Sequence, residues 1–273
     1  MYKVGLWSQL WYLLVRSLQG VIRIPLSGRV RVIKYIFLGV ILTLVFGMVG
    51  NDWSSVQNRE SIAMFASLNL VLNSVQNVVY VFPSERAVFF KEQTNALYSP
   101  SAYYFAKFLS EVPGMIINPT LFTIIVYFGC DLNQSGSSHF FIFLLISILL
   151  TFASSTFAMI MGALFKDRKV AMSMIYVMVI PQGLFTGFLI HQNDIPDYMI
   201  PLEYLSMFKY SYQAYLLNEL DGTKINWSYR DVPKDLGFNE TLTQSIILLF
   251  SVGILWMIVS YILLILIAKC QRS

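Results

Sequence analysis

The chain has 273 residues, of which 56% are hydrophobic and only 12% are charged, and its formal net charge is +4. Soluble domains carry about a quarter charged residues, so this composition excludes an ordinary soluble domain and indicates a protein embedded in a lipid bilayer. An all-α fold is predicted, because the hydrophobicity does not alternate as in a barrel and lipid offers no partner to an open backbone.

The first element is predicted to be an amphipathic helix. Residues 5–27 carry apolar and aromatic side chains at helical spacing, interrupted by two arginines. This pattern is typical of a helix that lies on the inner membrane surface. Pro25 and Gly28 are predicted to end it, so that segment 1–28 forms a connecting helix before the first span.

Six apolar stretches are each long enough to cross a hydrocarbon core of about 30 Å at about 1.5 Å per residue. They lie at about residues 32–50, 62–82, 102–129, 140–165, 170–190 and 242–268. The sequence indicates a single membrane domain over residues 1–273. Within it, spans 1–5 occupy 29–190, an outer segment occupies 191–241, and span 6 with a cytoplasmic tail occupies 242–273. The outer segment begins with residues too apolar for a free loop, which favours short re-entrant helices, and continues as an exposed polar loop.

Lysine and arginine are distributed unevenly between the two sides of the predicted spans. The N-terminal segment, the connections between spans 2 and 3 and between spans 4 and 5, and the C-terminal tail together hold 14 of the 19 basic residues. The positive-inside rule therefore predicts both termini in the cytoplasm. The chain is expected in the plasma membrane or an endomembrane. Three Asn-X-Ser/Thr motifs fall on the opposite side, and the candidate glycosylation sites are Asn133, Asn226 and Asn239.

Span 2 carries polar side chains on one face. Asn69, Asn73 and Asn77 follow one another at a spacing of four, one turn after Phe65. Amides in hydrocarbon require partners, so this face either lines a translocation cavity or hydrogen-bonds a neighbouring helix, with Gln182 as a candidate partner.

Span 3 carries two charged residues near its inner end. Lys107 and Glu111 are four residues apart and are predicted to form an intramembrane polar contact. This contact is either an interfacial ion pair of little net energy or a contact between helices that shifts during a conformational change. Pro113 and Pro119 are predicted to break or kink the same span.

Small residues recur at every fourth position in several spans. In span 1 they are Gly39, Thr43 and Gly47. Such spacing lets helix backbones approach closely in lipid, either within one bundle or at a dimer seam.

Motifs of catalysis and nucleotide binding are absent from the sequence. The two histidines have no partners at metal-binding spacing, and neither G-x-S-x-G nor G-x-x-x-x-G-K-[ST] occurs. No catalytic, metal-binding or cofactor-binding residue is therefore predicted in this chain, and no feature suggests a nucleic-acid partner.

The connection between spans 2 and 3 is unusually rich in charges and rings. Residues 85–113 read ERAVFFKEQTNALYSPSAYYFAKFLSEVP. A short amphipathic helix is predicted to begin at Ser84, with Phe89 and Phe90 on its apolar side and Lys91 on its polar side. Exposed rings are typical of a docking site for a soluble partner, whereas the alternative is a loop resting on lipid head groups.

This stretch resembles the first cytoplasmic coupling segment of the G subfamily of ATP-binding cassette transporters, the White and pleiotropic-drug-resistance type. The segment GLFTGFLIHQNDIPDYMIPLEYLSMFKYSYQAYLLNEL resembles the fifth span and outer re-entrant helices of the same family. The resemblance covers essentially the whole chain. It implies a six-helix domain that pairs with an identical or related second domain and moves lipids, sterols or amphipathic small molecules by alternating access. ATP and Mg would be bound by a nucleotide-binding domain, fused upstream or separate, that is absent from this chain.

Carried over by position, the resemblance assigns three sets of residues. The coupling helix would contain Glu85, Arg86, Phe89, Phe90, Lys91 and Glu92. The substrate cavity would be lined by Asn69, Asn73, Tyr176, Val179, Ile180 and Gly183, together with Phe65, and closed on the outer side by a gate of Phe188 and Leu189. Two alternatives stay open: a permease subunit of a bacterial-type exporter, and a membrane anchor or assembly subunit that transports nothing.

Overall fold

The computed structural model describes residues 5–23, 25–49, 53–94, 97–221, 237–238 and 240–270. Within these ranges all regular secondary structure is helical, which confirms the predicted all-α class. The α-helices in chain order are α1 Leu6–Arg23, α2 Pro25–Phe46, α3 Trp53–Thr94, α4 Pro100–Gly129, α5 Ser137–Leu164, α6 Arg168–Gln182, α7 Ile200–Tyr204, α8 Met207–Leu220 and α9 Leu242–Cys270. Short 3₁₀ helices at Gly183–Thr186, Gln192–Asp194 and Asp197–Met199 connect α6 to α7.

Five of the described helices contain a segment long and apolar enough to cross a membrane. These segments are Ser55–Tyr80, Pro100–Gly129, Ser137–Leu164, Arg168–Thr186 and Leu242–Cys270. They correspond to predicted spans 2 to 6. The first predicted span coincides with α2, which has 22 residues but carries three basic residues in its first half, so a sixth crossing stays a prediction.

Helix α3 is one continuous helix of 42 residues. At about 1.5 Å per residue it is about 63 Å long, roughly twice the thickness of the hydrocarbon core. The prediction of a separate helix beginning at Ser84 is therefore wrong. Proline at position 83 removes one backbone donor, but the helix on both sides continues through it, as membrane helices with packed neighbours often do.

Helix α4 is also continuous, although two prolines lie inside it. Ser99 caps it by accepting a hydrogen bond from the Ala102 backbone N–H at 3.2 Å. The helix then runs through Pro113 and Pro119 to Gly129, so the predicted break of the span does not occur.

The small-residue stripe of α2 packs against α4 within the chain. A Cβ atom placed on Gly39 would lie 3.3 Å from Ile125, and one placed on Gly129 would lie only 2.4 Å from the Thr43 side chain. Close packing inside one bundle therefore accounts for the positions Gly39 and Thr43 of the stripe.

The centre of the bundle is occupied by α8, in which every residue except Leu217 is buried. It packs against α3, α5 and α9. The Tyr215 hydroxyl lies 2.8 Å from the Ser147 hydroxyl of α5, which in turn accepts a hydrogen bond from Thr123 of α4 at 2.9 Å. The first part of the predicted outer segment 191–241 contains short helices, and their re-entry into the membrane stays a prediction. Residues 222–236 lie outside the described part of the chain.

Candidate functional site

Helix α1, the end of α3 and the start of α4 meet where α3 extends beyond its apolar segment. The Arg16 guanidinium of α1 donates two hydrogen bonds to the Glu92 carboxylate of α3, at 2.8 and 3.1 Å. The Tyr98 hydroxyl, in the turn before α4, donates to the same carboxylate at 2.5 Å. We call Arg16, Glu92 and Tyr98 the three-helix clamp.

Further contacts support the three-helix clamp. The Ser99 backbone N–H donates to the Gln9 side chain of α1 at 2.9 Å, and Gln93 of α3 donates to the Tyr98 carbonyl at 2.8 Å. The first turns of α1, the last turn of α3 and the start of α4 are thus joined by directional hydrogen bonds. The sequence identified Glu92 but missed Arg16, which lies 76 positions earlier and was interpreted only as a residue of the membrane surface.

The clamp perturbs the protonation of its carboxylate. Burial favours the neutral form of Glu92, but hydrogen bonds from Arg16 and Tyr98 outweigh burial and hold its pKa below the ordinary value. The Glu92 hydrogen bond likewise raises the pKa of Arg16. Both groups are therefore charged at neutral pH, and the pair is a charge-assisted, bidentate contact.

Phe89 does not form the exposed docking ring that the sequence predicted. Its side chain is buried and stacks on Tyr103 of α4, with ring centroids 4.3 Å apart. Tyr98 extends the cluster, at 6.1 Å from Tyr103. An aromatic ring on the apolar side of a helix packs inward when a second helix is available, as α4 is here. Lys91 is exposed, whereas the side chains of Glu85, Arg86 and Phe90 lie outside the described residues.

A second cluster of charges is buried between α2, α3 and α4. Glu111 contacts Lys107 at 3.5 Å, which confirms the predicted pair, and it also accepts a hydrogen bond from Arg31 of α2 at 3.2 Å. Arg31 donates in addition to the Asn77 carbonyl of α3 at 3.2 Å. The cluster is thus a buried carboxylate between two cations. The sequence missed Arg31 because its partner is 80 positions away.

A polar chain continues from α2 to α6. Lys34, one turn after Arg31, donates to the Gln76 side chain at 2.8 Å. Gln76 in turn donates to the Tyr176 hydroxyl at 2.9 Å. The structure therefore connects the predicted cavity residue Tyr176 through α3 to α2. Gln182, the partner that the sequence suggested for the asparagine face, instead bonds its own helix at Met178 and the start of α8.

The asparagine side chains of α3 bond to their own helix. Asn69 donates to the Phe65 carbonyl at 2.9 Å, and Asn73 donates to the Asn69 carbonyl at 2.8 Å. Phe65 is exposed and Asn69 is half-buried, while Asn73 is buried. The face that α3 offers outward thus carries Phe65 and Asn69. The Asn69 and Asn73 amides donate their hydrogen bonds within α3.

The predicted cavity residues of α6 lie on two different faces. Val179 is fully buried in the core of this chain, whereas Ile180 is exposed. Gly183 is buried close to Met64 of α3. The two residues predicted as an outer gate also differ: Phe188 packs edge-on against Tyr212, with ring centroids 6.0 Å apart, whereas Leu189 is exposed.

The glycosylation prediction at Asn133 is contradicted by the structure. The Asn133 side chain is buried, and its amide nitrogen donates to the backbone carbonyls of Asn218, Glu219 and Asp221. Its backbone N–H donates to the Glu219 carboxylate at 2.8 Å, which also pairs with Arg59. This amide links the turn after α4 to the end of α8, and its nitrogen, the atom that a glycan would occupy, is already used in these hydrogen bonds. Asn226 and Asn239 lie outside the described residues.

The described residues offer no converging metal ligands. Among the residues the structure describes, no group of three or more His, Cys, Asp or Glu side chains could hold a metal ion. The described polar clusters instead connect helices to one another.

Comparison with known proteins identifies the class. The sequence matches the ABC-2 type transporter family over residues 8–220, and the chain belongs to this family of membrane domains, in the G subfamily of ATP-binding cassette transporters. It is 31% identical to the ABC transporter ATP-binding protein/permease wht-1 of Caenorhabditis elegans over 233 residues, which cover 82% of this chain and 33% of that protein.

Two further relatives agree with this assignment. Protein white of Drosophila melanogaster is 29% identical over 80% of this chain and 32% of its own length. The broad substrate specificity ATP-binding cassette transporter ABCG2 of Bos taurus is 27% identical over 81% of this chain and 34% of its own length. The chain thus spans about a third of the length of the curated relatives it matches.

Proposed function

We propose that this chain is the membrane-spanning part of an ATP-driven transporter that exports or moves lipids, sterols or amphipathic small molecules. The family match supports the transport role. The C. elegans relative is named as both an ATP-binding protein and a permease, and this chain matches a third of that protein. ATP and Mg would therefore be bound by a nucleotide-binding domain outside this chain, fused to it or separate.

In the proposed arrangement α2 is the sixth crossing and both termini face the cytoplasm. Its first half carries Arg29, Arg31 and Lys34, and the latter two bond to groups on α3 and α4. Basic residues with bonded partners near one membrane boundary are compatible with a helix that spans. The same orientation places the three-helix clamp on the cytoplasmic side.

The observation that carries the coupling proposal is the continuity of α3. One helix contains Phe65 and Asn69 on its outward face and Glu92 in the three-helix clamp. A helix transmits displacement along its axis because every backbone hydrogen bond is internal. A nucleotide-binding domain that pushes on Glu85–Glu92 is expected to move α3 as a rigid unit. Through Arg16 and Tyr98, this movement would also displace α1 and α4.

The substrate path would lie along the outward faces of α3 and α6. Phe65 and Ile180 are exposed apolar residues on these two helices, and Asn69 and Tyr176 add polar groups. Exposed faces of this kind would be completed by a second membrane domain, identical or related, so that the two copies enclose the substrate. Alternating access would then follow from changes in the separation of the two α3–α6 pairs. Val179, buried in the core, would support α6 without contacting substrate.

The test is ATP-dependent movement of a hydrophobic fluorescent probe in liposomes that contain the protein and its nucleotide-binding domain. Ile180→Trp would fill the path and is expected to abolish transport, while Ile258→Trp, on the exposed surface of α9, leaves it intact. Equal transport by both variants would contradict the path. Absence of any ATP-hydrolysing domain in the purified complex would favour the membrane-anchor alternative.

A further inference from the structure

A crevice of about 590 Å³ lies beside the end of α6 that leads into the 3₁₀ segments. Its walls come from α6 and from residues of segment 184–205, and its floor includes Phe157 of α5 and Trp256 of α9. These two rings meet edge to face, with centroids 5.2 Å apart. Sites that hold small molecules typically have volumes of about 300–1,000 Å³ and are mostly apolar, so the crevice is large enough for one ligand.

The crevice uses a face of α6 that neither the core nor the proposed substrate path occupies. Successive residues of a helix are about 100° apart. Ile175 and Val179 point to the core, and Tyr176 with Ile180 lies on the proposed path. The crevice is lined from the third side of α6, by Val177, Met178 and Pro181.

The crevice lies beside a helix that is long and apolar enough to cross a membrane. It lies on the apolar segment Arg168–Thr186, and Val177 and Met178 are exposed hydrophobic residues at its opening. In a bilayer, hydrocarbon chains and not water would contact these side chains. The occupant expected from this environment is therefore a hydrocarbon chain that enters sideways from the membrane.

The rim of the crevice carries a negative charge. Among the lining residues, all of which the structure describes, Asp194 is the single charged side chain, and Tyr198 lies close to it in sequence. A carboxylate attracts an ammonium group and repels an anionic head group, and a tyrosine ring adds a cation–π surface. The rim therefore selects for a head group that bears a positive charge.

We propose that this crevice binds one outer-leaflet phospholipid with an ammonium head group, such as phosphatidylcholine. One acyl chain lies between α6 and the Phe157–Trp256 floor, and the ammonium group lies at Asp194. The site depends on the proposed function only for the orientation of α6. It requires neither ATP nor transport, so failure of the transport proposal would not exclude lipid binding in the crevice.

The test uses the protein, with any polypeptide that co-purifies with it, in lipid nanodiscs without ATP. The probe is a phosphatidylcholine with a photoreactive diazirine in one acyl chain, and labelled peptides are mapped by mass spectrometry. We expect labelling of peptides that contain Val177 or Trp256. Val177→Trp fills the opening and excludes about two methylene groups of the acyl chain from the crevice. This corresponds to about a tenfold loss of labelling. The matched control is Ile247→Trp on α9, because Ile247 is 59% exposed and Val177 is 63% exposed, and it is expected to change nothing.

Head-group selectivity is measured in the same assay with phosphatidylglycerol that carries the same acyl probe. The native protein is expected to prefer the choline lipid, and Asp194→Asn is expected to reduce that preference about threefold, the size of a partly exposed ion pair. Labelling unchanged by Val177→Trp, equal labelling by both lipids, preferential labelling by a diazirine sterol, or cross-links from a second copy of the chain into the crevice would each overturn the proposal.

Discussion

The three-helix clamp gives the most specific prediction, because the charges of Arg16 and Glu92 can be reversed one at a time or exchanged. Arg16→Glu places two carboxylates together where the native protein has a bidentate ion pair. The Arg16 and Glu92 side chains are 53% and 20% exposed, so the pair contributes about 1 kcal/mol, near the upper end for pairs in contact with solvent. Replacing it by a like-charge pair adds a repulsion of similar size. We expect the docking of α1 to weaken by about 2 kcal/mol.

Hydrogen–deuterium exchange of the α1 amides measures this docking. A weakening of about 2 kcal/mol raises the undocked population, and hence the exchange rate, about thirtyfold. Combining Arg16→Glu with Glu92→Arg restores opposite charges and is expected to recover protection of the α1 amides. The recovery is expected to be incomplete, because the Tyr98 hydroxyl loses its acceptor. Lys166→Glu, at an exposed position, is the control for charge reversal alone. Native exchange rates in Arg16→Glu, or no recovery in the swapped pair, would refute the reasoning.

The same clamp has a defined pH dependence. The pKa of Glu92 is lower in the folded protein than its ordinary value near 4.3. A carboxylate with a lowered pKa stabilises the fold at every pH above the ordinary value, and this stabilisation is lost as the pH falls through the lowered pKa. Exchange of the α1 amides is therefore expected to be constant from neutral pH down to about pH 5 after correction for intrinsic rates, and to accelerate below about pH 4.

Three further predictions concern stability, measured as thermal unfolding of the purified protein. Glu111→Ala leaves the buried Lys107 and the partly buried Arg31 without their shared carboxylate, which is expected to destabilise the fold by about 3–5 kcal/mol; a loss under 1 kcal/mol would contradict a buried cluster. Gly129→Ala forces a methyl group against Thr43, at a cost of about 1–3 kcal/mol, whereas Gly114→Ala, with 3.6 Å of clearance, serves as the neutral control. Asn133→Leu removes hydrogen bonds to three backbone carbonyls, of which those of Asn218 and Glu219 are buried, and is expected to cost about 2–4 kcal/mol. Endoglycosidase treatment of the native protein should release no sugar from this position.

Local pattern predicted the helices better than it predicted their partners. Uncharged runs located five segments that are long and apolar enough to cross a membrane, because length and hydropathy depend on consecutive residues. The Lys107–Glu111 contact was predictable for the same reason, since residues four apart share a helix face. Pro113 and Pro119 led to the wrong prediction of a break in the span, because a proline signals a helix end in water more reliably than in a packed membrane bundle.

Long-range partners could not be read from spacing. Glu92 meets Arg16 and Glu111 meets Arg31 only because α1 and α2 fold back along α4. Phe89 was expected to be exposed because the sequence does not show that Tyr103 lies opposite it. A basic residue near an apolar run has the same appearance in the sequence whether it contacts head groups or a buried carboxylate.

The central claim is that an ATP-hydrolysing domain drives this bundle through the end of α3. The most direct measurement places a photoreactive phenylalanine at position 91, where the native Lys91 is exposed, in native membranes. The account predicts that irradiation links this position to a polypeptide segment that carries a nucleotide-binding motif, in the same chain or in a partner. Cross-links to lipid alone, or labelling of position 91 by reagents that reach only the outer face of the membrane, would contradict it.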